Sequence, residues 1–285
     1  MSGKSEISSC SGHTAQTAGI LSVQFEPVLN EQEKNLEKVK NIVEDFILKN
    51  PEKQLDLIVL PEFFTTGVSH KYVDCPNPPN GGKPIEFVAQ LAKKYNVNIA
   101  AGTVITEEDG KLYNTMFVLD RLGDTVAKYR KIHLFKYFGG TENERVTPGK
   151  SLVVADLDFG KAGLAICFDI KYPLHYKKLT QLGAEIIINP AAWAYLKSVK
   201  NQKMLNTRTF EALSIARANE NLVYFITSNE CKDAGPLGNT GGSKIISPLA
   251  EILADAGEEE GAIYAQIDLG LVRELKKTTP MAFED

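Results

Sequence analysis

GLAICFDIKYP, Gly163 to Pro173, is the stretch on which the reading of the whole chain turns. An apolar run ends at Cys167, and Pro173 opens a segment with helical patterning, so the stretch predicts strand, sharp turn and helix with a thiol at the turn. A side chain at such a turn is lifted off the sheet and set beside a helix N-terminus, whose dipole and free N–H groups favour thiolate over thiol. A cysteine nucleophile fits this position. An inert thiol filling a strand end fits it equally well, because free cysteines are often core residues.

Working outward, Leu152–Leu157 and Lys161–Ile166 predict a hairpin around Gly160 whose second arm ends at Cys167. Tyr113–Leu119 and Thr125–Leu134 predict another, and its second strand delivers Lys131 and His133 on one face. Leu55–Leu60 is continuously apolar, as in a strand buried on both faces, and ends in Pro61-Glu62. Gly19–Phe25, Asn98–Ile105, Glu185–Asn189, Leu222–Asn229, Ser243–Ile246, Glu251–Ala254 and Ala262–Ile267 read as further strands. Apolar residues recur at helical steps over Asn35–Lys49, Ile85–Tyr95, Tyr172–Leu182, Lys203–Asn221 and Leu271–Lys277. Helices and strands alternate, with hairpins interrupting the middle, which argues for a layered α/β domain with a mixed sheet or two sheets. Residues 18–285 read as that single domain, behind a flexible Ser-, Gly- and Thr-rich tail of residues 1–17.

Composition narrows the function. The chain has 285 residues, 43% of them hydrophobic, and a net charge of −4 with both signs interspersed. It has no basic stripe for nucleic acid and no apolar run of the roughly 20 residues that span a bilayer. Cys10, Cys75, Cys167 and Cys231 are scattered, which fits a reducing, cytoplasmic setting better than a disulfide scaffold. No Cys or His pair has metal-ligand spacing, so no metal is expected. The Gly235–Gly242 stretch lacks the Lys-Ser/Thr ending of a phosphate loop.

Glu62, Lys131 and Cys167 all stand at predicted strand ends. A cysteine nucleophile needs a base, a positive charge or N–H donor for the developing oxyanion, and an acid for the leaving group. Glu62 can be base and acid, and Lys131 the charge. His133 leaves a Cys–His dyad open as an alternative, whereas His175 falls within a helix pattern on a packing or solvated face.

These residues carry a resemblance. LPEFF at Leu60–Phe64, YRKIHLF at Tyr129–Phe135, GLAICFDIKYP, Glu142 ahead of Pro148-Gly149, and Arg217-Ala218-Asn219-Glu220-Asn221 together resemble the nitrilase superfamily of carbon–nitrogen hydrolases, from Gly19 to about Pro280. The resemblance implies a four-layer α-β-β-α sandwich that dimerises through helices. It implies that Cys167 attacks an amide or nitrile carbon, that Glu62 is the general base, and that Lys131 and the Phe168 N–H hold the oxyanion. Glu142 would orient the set, and no cofactor is needed. Lys171-Tyr172-Pro173-Leu174 departs from the Arg-Phe-Pro-Glu often found after this turn. The short segment Lys131–Glu142 looks like that of omega-amidase-type enzymes, which act on small linear amides. Phe63, Tyr137, Phe168 and Trp193 are candidates to line the pocket. Nitrile and carbamoyl substrates are the alternatives, and a catalytically silent binding or scaffold protein is the reading from another class.

Overall fold

Alternation along the apolar strands divides their side chains between two environments. Ile20, Leu57, Val59 and Met116 meet Leu164, Ile186 and Phe225 in one core, whereas Leu21, Ile58, Ile99 and Phe117 meet Leu36, Val39, Val88 and Leu91 in another. In the computed structural model that shows this, residues 16–69, 71–136, 141–234 and 237–279 are described. Nearly all of the expected tail lies outside them.

The first core is shared by two sheets. One runs in the order Gly261–Asp268, Thr17–Gln24, Leu57–Val59, Asn98–Ala100, Lys111–Leu119 and Val104–Glu108, with Thr125–Arg130 also paired to Lys111–Leu119. The other runs Ile252–Asp255, Lys244–Ile246, Tyr224–Asn229, Ile186–Ala191, Gly160–Leu164 and Val154–Leu157. Ser22 Oγ donates to Thr227 O at 2.7 Å, tying the sheets face to face. Helices Gln32–Lys49 and Gly82–Tyr95 cover the outer face of the first sheet. Pro173–Gln181 and Gln202–Glu220 pack on the second. The four-layer α-β-β-α arrangement follows, because strands apolar on both faces need a cover on each.

Two of the predicted strands that the structure shortens bear on the site. Asn98–Ile105 is broken after Ala100. Gly102 there takes φ +47°, and a Cβ on it would lie 1.9 Å from Pro61 O. Thr103 Oγ1 accepts the Phe63 N–H at 3.0 Å, so the break makes room for, and holds, the turn that carries Glu62. Thr125–Leu134 ends at Arg130, where pairing to Lys111–Leu119 runs out. The glycine-rich stretch forms a strand, Leu237–Thr240, in a small sheet with Ala194–Leu196 and Cys231–Ala234, and residues 235 and 236 lie outside the described set.

Parallel strands place their C-terminal ends at one edge, where α/β sheets present functional groups. Glu62 follows Leu57–Val59, Cys167 follows Gly160–Leu164, and Ala192 follows Ile186–Ala191.

Candidate active site

Cys167 opens a five-residue 3-10 turn, Cys167–Lys171, with φ +46°, a backbone region that costs a non-glycine residue roughly 1–3 kcal/mol. Asp169 sustains the strain. Its Oδ2 accepts Ile166 N–H at 2.9 Å and the Tyr129 hydroxyl at 2.7 Å, and its Oδ1 accepts His133 N–H at 2.9 Å. From the other side, Arg217 reaches through the core and donates to Ile170 O from Nε at 3.1 Å and from a terminal nitrogen at 2.9 Å. That contact accounts for the arginine of the Arg-Ala-Asn-Glu-Asn stretch.

Lys131 is buried and lies between two buried carboxylates. Its Nζ donates to Glu62 Oε1 and to Glu142 Oε2, both at 2.8 Å. Asn114 Nδ2 bridges the same pair, at 2.8 Å to Glu62 Oε1 and 2.9 Å to Glu142 Oε1. Phe135 N–H completes Glu142 at 2.7 Å, and Ala192 N–H donates to Glu62 Oε2 at 3.0 Å. Gly149 N–H closes on Lys131 O at 2.8 Å, and a Cβ on Gly149 would stand 2.1 Å from Arg130 O, so the Pro148-Gly149 turn fixes the lysine backbone.

The thiol of Cys167 lies near enough to Glu62 and Lys131 for the charges of both to act on it. Burial raises the Glu62 carboxyl, with the Lys131 charge pulling it down and Glu142 pushing it up. Burial also opposes the Lys131 ammonium, but Glu142, Glu62 and Cys167 outweigh it and hold the amine well above its ordinary range. The expected stabilisation of a thiolate by a helix N-terminus is overturned. Burial, and then the Glu62 charge, push the Cys167 thiol well up, against the Lys131 charge and the Ala192 N–H. The resting nucleophile is a thiol, and Glu62 stands beside it as the group that can take its proton.

The expectation that His133 shares a face with Lys131 also fails, because the strand has ended. The His133 ring lies flat on Tyr172, 3.6 Å between centroids, and neighbours Asp169 and His175. His175 is buried and packs edge-on to Tyr129. The aromatic candidates separate as well. Phe63, at φ +51°, packs on Tyr72 in a cluster with Leu134, Val146 and Ala192, beside the lysine and glutamates. Phe168 meets Phe135 edge-on at 5.3 Å. Trp193 turns its ring onto Phe210 at 5.1 Å and donates Nε1–H to Asn206 O, so its side chain serves helix packing. Tyr137 lies outside the described residues.

Sequence reasoning missed Asn114, Tyr72 and Glu230. Asn114 had a signal, an amide inside the apolar strand LYNTMFVL, where asparagine is disfavoured. Tyr72 has its hydroxyl held up at about 12 by burial and then by the Glu142 charge, which puts it next to the carboxylates. Glu230 is fully buried, and its Oε2 accepts Asn239 Nδ2 at 2.8 Å. Burial, then the Glu62 charge, hold its carboxyl well above the ordinary range, against Asn239 and the Val68 N–H. A carboxyl raised in the folded state favours folding fully below its unfolded value and loses that contribution as pH rises toward the folded one. Glu230→Gln is therefore expected to gain stability relative to the parent as pH rises from 5 to 8, with little difference at pH 4. Thermal melts across that range check it, and a pH-independent offset would contradict a neutral Glu230.

Among the described residues no helix is long and apolar enough to cross a membrane. The chain is 31% identical to the 2-oxoglutaramate amidase of Bacillus subtilis, over 92% of this chain and 95% of that protein. It is 30% identical to omega-amidase NIT2 of Xenopus tropicalis, over 81% and 83%. Saccharomyces cerevisiae Nit3, of branch 10 of the nitrilase superfamily, superposes with a TM-score of 0.82 at 26% identity, covering 93% of this chain and 95% of that one. A carbon–nitrogen hydrolase from Helicobacter pylori shares the fold, with a TM-score of 0.85 at 24% identity over 94% and 95%. Residues 20–277 match the family described as carbon-nitrogen hydrolase. The chain belongs to that family.

Proposed function

We propose that the chain hydrolyses a small linear amide, releasing ammonia and a carboxylic acid through a thioester on Cys167. The observation that carries this reading is the buried Lys131 ammonium bonded to both Glu62 and Glu142, with the Cys167 thiol near enough to feel the charges of Glu62 and Lys131. Glu62 takes the thiol proton as sulfur bonds to the amide carbon. The carbonyl oxygen becomes an oxyanion, held by Lys131 and the Phe168 N–H. When the C–N bond breaks, Glu62 returns that proton to the departing nitrogen, and ammonia leaves. Water then loses a proton to Glu62 and attacks the thioester, and the proton passes to the released sulfur. Glu142 and Asn114 keep Lys131 aimed throughout. No cofactor takes part in these steps.

Phe63 and Phe168 flank the site and favour a substrate of modest width. The names of the relatives support an ω-amide of a short dicarboxylic acid, 2-oxoglutaramate foremost, over nitrile or carbamoyl compounds. The test is ammonia release from 2-oxoglutaramate and a panel of ω-amides, nitriles and carbamoyl compounds, with rapid acid quench and peptide mass spectrometry. The expected result is ammonia matched by acid and an acyl group on the Cys167 peptide. Turnover with the acyl group on Cys75 or Cys231, or turnover of nitriles alone, would overturn the reading.

The reading extends to a cytoplasmic homodimer. Leu174 on Pro173–Gln181, Leu182 at the C-terminal cap of that helix, and Met204 and Leu205 on Gln202–Glu220 are exposed apolar groups outside the second sheet, and they support association there. Light scattering on the purified chain is expected to give twice the mass of one chain, 31.3 kDa.

A further inference from the structure

Beneath the Cys167 turn lies a second cluster that the proposed reaction does not use. A ring nitrogen of His133, a ring nitrogen of His175 and a carboxylate oxygen of Asp169 lie within 4.8 Å of one another. They come from three pieces of chain: the segment after Thr125–Arg130, the 3-10 turn, and helix Pro173–Gln181. The sequence hides the grouping, since the residues stand 36 and 6 apart and show no ligand spacing.

The cluster is built rather than incidental. The His133 ring is fixed against Tyr172 and meets the His175 ring edge-on at 5.6 Å. One His175 nitrogen, Nε2, stands 3.4 Å from Leu164 O. Metal-ligating histidines commonly offer their other N–H to a backbone carbonyl in this way, which fixes the tautomer. Asp169 is fully buried and takes two donors on Oδ2 and one on Oδ1, so of the roughly four lone-pair sites of a carboxylate one on Oδ1 is left. His133 is half-buried and gives access from solvent. Ligand atoms around a tetrahedral ion with bonds of about 2.0–2.1 Å stand roughly 3.4 Å apart, so the three need to close by on the order of 1 Å.

We propose that His133, Asp169 and His175 form a binding site for a borderline divalent transition metal, Zn2+ or Co2+, and that its occupancy slows turnover. Two imidazoles and one carboxylate suit these ions better than Mg2+ or Ca2+, which prefer all-oxygen shells. The coupling to turnover runs through Asp169. The oxygen with room for the ion, Oδ1, shares its carboxylate with Oδ2, which holds Ile166 N–H and the Tyr129 hydroxyl, the contacts that keep Cys167 at its strained φ, and an ion drawing charge from that carboxylate weakens them.

The metal is titrated first into the full-length, tag-free Cys167→Ala chain, so that the active-site thiol is not a ligand. The expected result is a visible Co2+ d–d band and one equivalent of Zn2+, measured against a chromophoric chelator, beyond what Cys167→Ala/His175→Leu and Cys167→Ala/His133→Phe retain. Phe at 133 keeps the ring on Tyr172 and removes both nitrogens, so it decides the matter if the buried His175→Leu change prevents folding. No binding by Cys167→Ala, or equal binding by the double variants, overturns the site. With Cys167 intact, Zn2+ is expected to inhibit reversibly, and the half-inhibiting concentration to rise about tenfold or more in His133→Phe. An unchanged concentration overturns the coupling to turnover. Because binding is read in a chain without the nucleophile, its failure is separate from any failure of the amidase reading.

Discussion

Lys131→Met is expected to destabilise the chain by about 3–5 kcal/mol and to abolish measurable turnover, because it removes one partner of a buried ionic network and leaves the others uncompensated. Glu62 and Glu142 each lose a bond of 2.8 Å to the ammonium, while Asn114, Phe135 and Ala192 still donate to them. Those neutral donors cannot offset two buried negative charges. Glu62, freed of the Lys131 charge that pulled its carboxyl down, then takes a proton, its folded value rises further above the unfolded one, and the sign of the pH dependence follows: the deficit is smallest below the unfolded carboxylate range and grows as pH rises through it. Urea denaturation at pH 4.5 and pH 8 checks this, and an equal loss at both would mean that the damage is lost packing, not lost charge. Lys131→Arg is not expected to rescue, since a planar fork cannot take the place of a compact ammonium between two carboxylates.

The residues that were legible in sequence and those that were not differ in how they reach the site. Glu62 and Cys167 end continuous apolar strands, so a pattern within a single segment marks them. Asn114 and Glu230 arrive by pairing between segments. Asn114 stands opposite Ile105 in the register of the first sheet, and Glu230 hydrogen-bonds Ala191 O, one residue before the Ala192 that serves Glu62. No local pattern carries a register. The overlong second strand has the same origin, for Ile132 and Leu134 continue the apolar alternation past Arg130, but Lys131 N–H to Asn114 O at 2.9 Å is where the ladder stops. The error over the thiol is different in kind. A turn ahead of a helix argues for a lowered thiol, and that argument counts only local dipoles. The folded site adds burial and the Glu62 carboxylate from 105 positions earlier in the chain, and these outweigh the dipole.

Glu62→Gln is expected to lower kcat/KM by about 10²–10⁴, the range a positioned base contributes. The amide keeps the size of the side chain, an acceptor for Lys131 and packing beneath Ala192, so the fold should survive where Lys131→Met does not leave it intact. What it loses is the ability to take the Cys167 proton. In the parent, turnover requires Glu62 ionised, and burial places its carboxyl above the ordinary range of glutamates, so activity falls as pH drops through that raised value. The acid limb of the kcat/KM profile reports this group, and it is expected to vanish in Glu62→Gln. The residual rate should instead climb with pH, because only the thiolate formed by solvent can attack. Removing the Glu62 charge also removes the second cause of the raised thiol, so that climb begins at a lower pH than the parent's burial and charge together would allow. An acid limb that persisted in Glu62→Gln would identify another base. His133 would be the first to examine, and its ring on Tyr172 and its place beside Asp169 and His175 are the reasons the acid limb is expected to follow Glu62 instead.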